Sequence, residues 1–274
     1  MSASYATPPG GLPPQTQLTT SRAQVQNSFA VIPRGVMRDI VTSSLPGWTG
    51  ARAWVLARPL TGFAETFAQL IVELAPDGGS DAPEPEAMGQ GVIFVTSGDI
   101  RLNIAGQDHA LTPGGYAYLP PGCDWKIRNS GTGAATFHWI RKAYDPAPGL
   151  DAPAAFVTHE ADIPITYMPD TDRAWGTQRF VGADDLRHDM QVNIVTFAPG
   201  GCIPFPETHV MEHGLYVLEG KAVYLLNQSW VEVEAGDFIW LRAFCPQACY
   251  AGGPGQFRYL LYKDVNRHPK LTPG

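Results

Sequence analysis

The sequence is poor in charge, since only 16% of its 274 residues are Asp, Glu, Lys or Arg. The formal net charge is −7, and no basic stripe or polybasic run suggests binding to nucleic acid or to an anionic membrane surface. No stretch approaches the ~18 consecutive apolar residues that span a bilayer. The first twenty residues have neither a basic start nor an apolar segment, so a secretory signal is not expected. These absences predict a cytoplasmic protein with no nucleic-acid or membrane partner.

Cysteine is also scarce, with four residues at Cys123, Cys202, Cys245 and Cys249. No pair has the C-x-x-C spacing of redox or zinc motifs. We therefore expect reduced, unbridged thiols, in keeping with a cytoplasmic protein.

Sustained helical periodicity is missing, whereas Gly (29) and Pro (25) are frequent, as in short strands joined by tight turns. An internal repeat orders these strands. Gly98 and Gly114 are 16 residues apart, and so are Gly220 and Gly236, which gives an offset of 122 at both positions. The apolar segments around them also match: 72–79 with 195–201, 91–98 with 214–220, and 111–120 with 233–241.

The repeat predicts an all-β fold of two similar units, each a sandwich or a barrel. The alternative is two unrelated β-domains that share turn chemistry, which does not require matched spacing. We expect an N-terminal tail and lead-in over residues 1–30, a first barrel over 31–145 and a second over 146–274. A Pro-, Ala- and Gly-rich linker covers residues 143–153.

The densest cluster of polar, chemically active residues is Glu207-Thr-His209-Val-Met-Glu-His213. Glu207 and His209 face the same side if they lie on one strand. His213 follows a bend, and Gln247 comes 34 residues later. Two imidazoles, a carboxylate and an amide oxygen suit a first-row divalent ion such as Mn²⁺. The sequence therefore predicts a metal site in the second barrel, although such spacing could also arise on a solvated loop.

The first barrel lacks this set of ligands. Subtracting the offset of 122 gives Pro85, Ala87, Gly91 and Trp125, none of which binds a metal. We expect one metal ion per chain, held by the second barrel. The other histidines, at positions 109, 138, 159, 188 and 268, are expected to be surface or satisfied core residues.

Longer motifs carry a resemblance to a known family. The segment ETHVMEHGLYVLEG (207–220), Gly236–Ile239 and the tail YLLYKDVNR (259–267) are similar to (S)-ureidoglycine aminohydrolases. This resemblance implies an all-β fold of two fused cupin barrels, each a double-stranded β-helix (jelly roll). The resemblance covers nearly the whole chain. Only the first ~20 residues fall outside it, as terminal tails often do.

The resemblance implies a metal-dependent hydrolase. The family converts (S)-ureidoglycine and water to (S)-ureidoglycolate and ammonia in purine breakdown through allantoin, uses Mn²⁺ in its C-terminal cupin and forms homo-oligomers. The matching metal ligands are Glu207, His209, His213 and Gln247. Tyr259 and Lys263 match residues that contact the small anionic ureide, and Tyr224 is a further substrate-binding candidate.

We assign catalytic roles to Glu207, Tyr259 and Lys263. Lys263 offers a fixed positive charge for the substrate carboxylate, and Glu207 could shuttle a proton. Two other functions stay open: a metal-dependent double-cupin dioxygenase or isomerase, and a cupin that binds a small ligand without catalysis. The alternative roles of Tyr259 and Lys263 are a packed core tyrosine and a strand-end surface lysine.

Overall fold

The computed structural model describes residues 22–34, 36, 44–60 and 62–265, together with residues 14 and 16. A 3-10 turn covers Glu160–Asp162. The strands, in chain order, are β1 Gln24–Val25, β2 Phe29–Ile32, β3 Trp48–Ala57, β4 Phe67–Ser80, β5 Gly89–Ser97, β6 Ile100–Ile104, β7 Gln107–Leu111, β8 Gly115–Leu119, β9 Trp125–Asn129, β10 Ala135–Ala143, β11 Phe156–His159, β12 Ile165–Tyr167, β13 Trp175–Arg179, β14 Met190–Phe197, β15 Cys202–Glu207, β16 His213–Glu219, β17 Lys221–Leu226, β18 Ser229–Glu234, β19 Phe238–Leu241, β20 Gln247–Ala251 and β21 Phe257–Asp264. The predicted all-β class is confirmed.

The first barrel is a single nine-stranded sheet in the order β11-β8-β5-β10-β4-β9-β6-β7, with β3 added alongside β4. Strand β4 curves: residues 67–74 pair with β10, whereas Gly79 and Ser80 pair with β9, and β3 pairs with both parts on the other side. Gly79 permits this crossing, because a Cβ atom there would lie 2.0 Å from the carbonyl oxygen of Ile127. The inward face buries a core of aliphatic and aromatic side chains that includes Leu74, Phe137 and Trp139.

The second barrel consists of two sheets. One has eight strands in the order β1-β2-β19-β16-β21-β14-β13-β12, and the other has four in the order β15-β20-β17-β18. Inward side chains of both sheets form one core, which contains Phe197, Tyr224, Phe257 and Tyr259. This two-sheet arrangement is typical of a jelly-roll barrel.

The repeated glycines have matching backbone conformations in the two barrels. Gly98 and Gly220 have φ of +73° and +75°, and Gly114 and Gly236 have φ of +90° and +95°. Residues with side chains rarely adopt these values. Spacing and turn geometry therefore repeat together, as expected of two copies of one fold.

The strands cross the domain boundaries that the repeat suggests. Strand β2 precedes the first barrel in sequence, yet it pairs with β19 of the second. Conversely, β11 follows the linker but pairs with β8 of the first. Residues 152–163 accordingly group with the first barrel, and residues 145–151 group with the second. The predicted boundaries at residues 30/31 and 145/146 differ from this arrangement, because each barrel includes a strand that lies outside its own repeat in the sequence.

The expectation of unbridged thiols can be checked in the described part of the chain. All four cysteines are free. Within those described residues, no helix has the length and apolar character needed to cross a membrane.

Candidate active site

A cavity of about 150 Å³ opens in the second barrel, with walls from both of its sheets. The four predicted metal ligands line it, as do Tyr259 and Lys263. Other lining residues, which the sequence did not single out, include Arg179 and Asn193. The structure thus brings together six of the seven predicted site residues.

Glu207 and Gln247 occupy opposed positions on neighbouring strands. Glu207 ends β15, Gln247 begins β20, and the two are direct cross-strand partners. The Gln247 side-chain nitrogen lies 3.5 Å from Glu207 Oε1. His209 lies in the loop after β15 rather than on the strand, but its Nε2 is still 3.1 Å from the same Glu207 oxygen.

His213 is the first residue of β16 and faces Lys263 of β21 directly across the sheet. Its ring centroid lies 5.0 Å from that of His209. Burial lowers the pKa of His213 to about 3, and the nearby His209 and Lys263 add to the effect. A neutral imidazole keeps the lone pair that a metal ion requires.

The donor set fits a divalent ion by chemistry rather than by preformed geometry. Across residues 22–34, 36, 44–60 and 62–265, no three His, Cys, Asp or Glu side chains stand close enough together to form a ready metal site. Glu207 interacts instead with His209 and Gln247. However, two imidazoles, one carboxylate and one amide face a single cavity, and this combination suits first-row divalent metals.

Tyr259 lines the cavity, whereas Tyr224 lies behind it. The Tyr224 hydroxyl donates a hydrogen bond to the Tyr259 hydroxyl over 3.2 Å, in a fully buried setting. Burial raises the pKa of both phenols, so both are protonated at neutral pH. Burial likewise raises the pKa of the neighbouring Cys249 thiol to about 12. Tyr224 is not among the residues that line the cavity, so we expect it to act through Tyr259 rather than to contact the substrate.

Two cations stand at one end of the cavity. Lys263 is half-buried, and Arg179 of β13 is exposed at its edge. Burial lowers the pKa of Lys263, and the positive charge of Arg179 lowers it further. In the described residues, neither cation has a carboxylate partner at salt-bridge distance. Unpaired cations in a recess favour an anionic ligand.

Asn193 presents a free acceptor to the same cavity. It is 1% exposed, and its Oδ1 has no hydrogen-bond donor among the described residues. Strand register places it opposite Arg179 on one side and opposite Leu261 on the other. The sequence gives only a weak indication that Asn193 belongs to the site, which is that Gln191 and Asn193 are polar residues in the otherwise largely apolar strand β14.

Residues outside the site behave as ordinary structural groups. Glu212 is 2% exposed and accepts a hydrogen bond from the Trp240 indole nitrogen. His138 is buried beside the Gln69 amide at 3.3 Å, and burial lowers its pKa to about 3. His159 caps the 3-10 turn, while His268 lies outside the described residues.

Comparisons with known proteins agree with this architecture. A family model described as "Cupin domain" matches residues 70–141 and 193–262. The Escherichia coli (S)-ureidoglycine aminohydrolase is 32% identical over 93% of this chain and 95% of its own length. Its Arabidopsis thaliana counterpart is 30% identical over 84% of this chain and 74% of its own. A Pseudomonas aeruginosa crystal structure, provisionally described as a glyoxylate-induced protein, is 64% identical with a TM-score of 0.90, over 99% of this chain and all of that one.

Two barrels, each matched by the same domain model, make this chain a double cupin, a class whose domains commonly hold a metal ion. Identity of 30% or more over most of the length of named relatives narrows the assignment. The chain belongs to the (S)-ureidoglycine aminohydrolase family.

Proposed function

We infer that this enzyme hydrolyses (S)-ureidoglycine to (S)-ureidoglycolate and ammonia, a step in purine degradation through allantoin. The observation that carries the proposal is the match to named aminohydrolases over nearly the full chain. The cavity supports it, since a carboxylate, two histidines and two unpaired cations suit hydrolysis of a small anion. In the reaction, the bond from the central carbon to the amine breaks and a bond to a water oxygen forms.

We propose that Glu207, His209, His213 and Gln247 hold one Mn²⁺ ion per chain. The oxygen donors of Glu207 and Gln247 favour Mn²⁺ over softer metals. The bound ion would orient the substrate and act as a Lewis acid. Substrate binding and proton transfer are assigned to side chains of the protein.

The substrate carboxylate is proposed to bind Lys263, with Arg179 as a second cation that sequence reasoning missed. Both side chains face the cavity and lack carboxylate partners in the described part of the chain. Asn193 Oδ1 is then available to accept an N–H of the ureido group. Carboxylate and ureido groups would thus be fixed by neighbouring strands, which orients the third substituent, the amine.

Glu207 is the proposed proton carrier. It stands at the cavity wall, 19% exposed, with one oxygen already within 3.1 Å of His209. If Glu207 moves off the metal or holds it loosely, its carboxylate can take a proton from the attacking water and pass it to the departing amine. The neutral Tyr259 hydroxyl can hydrogen-bond the substrate, and Tyr224 positions that hydroxyl from behind.

The alternative functions find less support. The relatives at 30% identity or more are named as aminohydrolases, which favours hydrolysis over a dioxygenase or isomerase reaction. Release of ammonia by the purified protein would distinguish the hydrolase from a cupin that only binds its ligand. Cytoplasmic location and a homo-oligomeric state remain predictions.

Product stereochemistry tests the proposed reaction. Ureidoglycine loses ammonia spontaneously, so we expect the enzyme to differ by yielding (S)-ureidoglycolate alone, because a fixed substrate exposes one face to water. Ureidoglycine would be generated from allantoate by an allantoate amidohydrolase, and the product's configuration read by chiral chromatography. Protein stripped of metal is the control. A racemic product formed at the background rate would refute the aminohydrolase assignment.

Arg179→Met should raise KM for ureidoglycine about 5- to 10-fold with a smaller change in kcat. The estimate lies at the low end for a charge-assisted contact because Arg179 is exposed. Steady-state kinetics would measure it, with Arg101→Met, an exposed arginine of the first barrel, as the matched control. An unchanged KM in Arg179→Met would remove Arg179 from the substrate site.

A further inference from the structure

The first barrel contains a cavity of its own, of about 280 Å³. Pro85, Ala87, Gly91 and Trp125, the equivalents of the four proposed metal ligands, all line it. The cavity therefore occupies the place in its barrel that the candidate active site occupies in the other. Proline, alanine, glycine and tryptophan stand where the other barrel has its ligand types, so the two cavities share a place in the fold and differ in chemistry.

The floor of this cavity carries an unused hydrogen-bond donor. Trp139 lines the cavity, is 2% exposed, and its indole N–H has no acceptor among the described residues. A Cβ atom on Gly91 would lie 3.1 Å from this nitrogen. Glycine at position 91 thus keeps the N–H edge uncovered. Buried donors are almost always paired in folded proteins, so this group points to an acceptor on a ligand.

The charges of the cavity disfavour anions. Arg141 is the repeat equivalent of Lys263, but it is already bound to Glu84 through two nitrogens, one of them 2.7 Å from Oε2. Its guanidinium lies 4.6 Å from the centre of the Trp139 ring. Glu84 and Glu86 line the cavity, and Glu86 is 68% exposed at its edge. Among the described residues that line this cavity, there are therefore carboxylate acceptors and no free cation.

The walls suit a flat molecule. Trp125 and Trp139 meet edge to face with ring centroids 5.9 Å apart, and Leu119 and Pro120 complete an apolar surface. Aromatic faces bind planar groups by stacking.

We propose that the first barrel binds a small, uncharged, planar molecule with an amide or urea group. Its carbonyl oxygen accepts the Trp139 N–H, its N–H groups donate to Glu84 or Glu86, and its flat body lies against Trp125 and the apolar surface of Leu119 and Pro120. An anion without N–H groups cannot donate hydrogen bonds to Glu84 or Glu86 and is repelled by their charge. A cation without a carbonyl oxygen offers no acceptor to the Trp139 N–H.

Three probes of nearly equal shape separate these cases: benzamide, benzoate and benzamidinium. Each would be titrated into the full-length protein while the indole N–H signals of its seven tryptophans are followed by ¹H–¹⁵N NMR. Benzamide should shift the Trp139 and Trp125 signals saturably. Benzoate and benzamidinium should bind at least about 10-fold more weakly. Benzoate has no N–H to donate to the carboxylates, and benzamidinium has no oxygen to accept the Trp139 N–H. Trp175 lines the cavity of the second barrel and reports binding there.

Variants test the location. Trp139→Phe keeps an aromatic ring and should weaken benzamide binding about 10-fold, as read from the Trp125 signal. Ala87→Trp, at an exposed loop position, should close the cavity and abolish the Trp139 shift, whereas Met88→Trp next to it should not. The proposal is overturned by any of four results: no saturable shift at Trp139, equal binding of the three probes, a shift that survives Ala87→Trp, or a shift at Trp175 alone.

Discussion

His209→Ala and His213→Ala are each expected to lose the bound Mn²⁺ and with it the turnover of ureidoglycine. Loss of a residue that merely supports a metal ligand commonly costs 10- to 100-fold in metal affinity or activity. Loss of a ligand itself should therefore cost at least about 100-fold. Elemental analysis after reconstitution with Mn²⁺ and gel filtration would measure metal content, and product formation would be assayed on the same samples.

The fold should survive both substitutions. His209 lies in a loop and is 34% exposed, so its removal opens little core space. His213 is 5% exposed but borders the cavity, where a shorter side chain leaves existing neighbours in place. Circular dichroism would check this, with His109→Ala on β7 as the control that should keep metal and activity. Full metal occupancy and turnover in His209→Ala would show that the proposed site is wrong.

Local chemistry explains why the two barrels could be predicted from the sequence. Each repeated glycine adopts its positive φ at a turn between two strands that are consecutive in the chain, so the signal lies within a few residues. The pairing of β2 with the second barrel and of β11 with the first cannot be predicted from such local signals. Strand β2 pairs with β19 about two hundred residues later, and the apolar segment Phe29–Ile32 does not identify its partner. Long-range pairing depends on which edge remains uncovered after each barrel forms.

The same distinction separates the site residues that were predicted from those that were missed. Glu207, His209 and His213 fall within seven residues, so their types and spacing are visible together. Arg179 and Asn193 come from two other strands, and only strand register brings them beside Lys263. Tyr224 faces inward in the alternating burial pattern of β17, but its position behind Tyr259 depends on the packing of both sheets.

Lys263→Met is expected to lower kcat/KM for ureidoglycine roughly 10- to 150-fold while Mn²⁺ remains bound, because methionine keeps much of the side-chain volume and removes the charge. The effect should exceed that of Arg179→Met, since Lys263 is half-buried and water can replace its contact less well. Competitive inhibition separates binding from chemistry: ureidoglycolate should lose affinity for the variant, whereas its uncharged carboxamide should bind wild type and variant about equally. Lys221→Met, an exposed lysine of the same barrel, is the matched control. An unchanged kcat/KM, or equal loss for the charged and uncharged inhibitors, would mean that Lys263 does not hold the carboxylate, and Arg179 alone would then have to supply that charge.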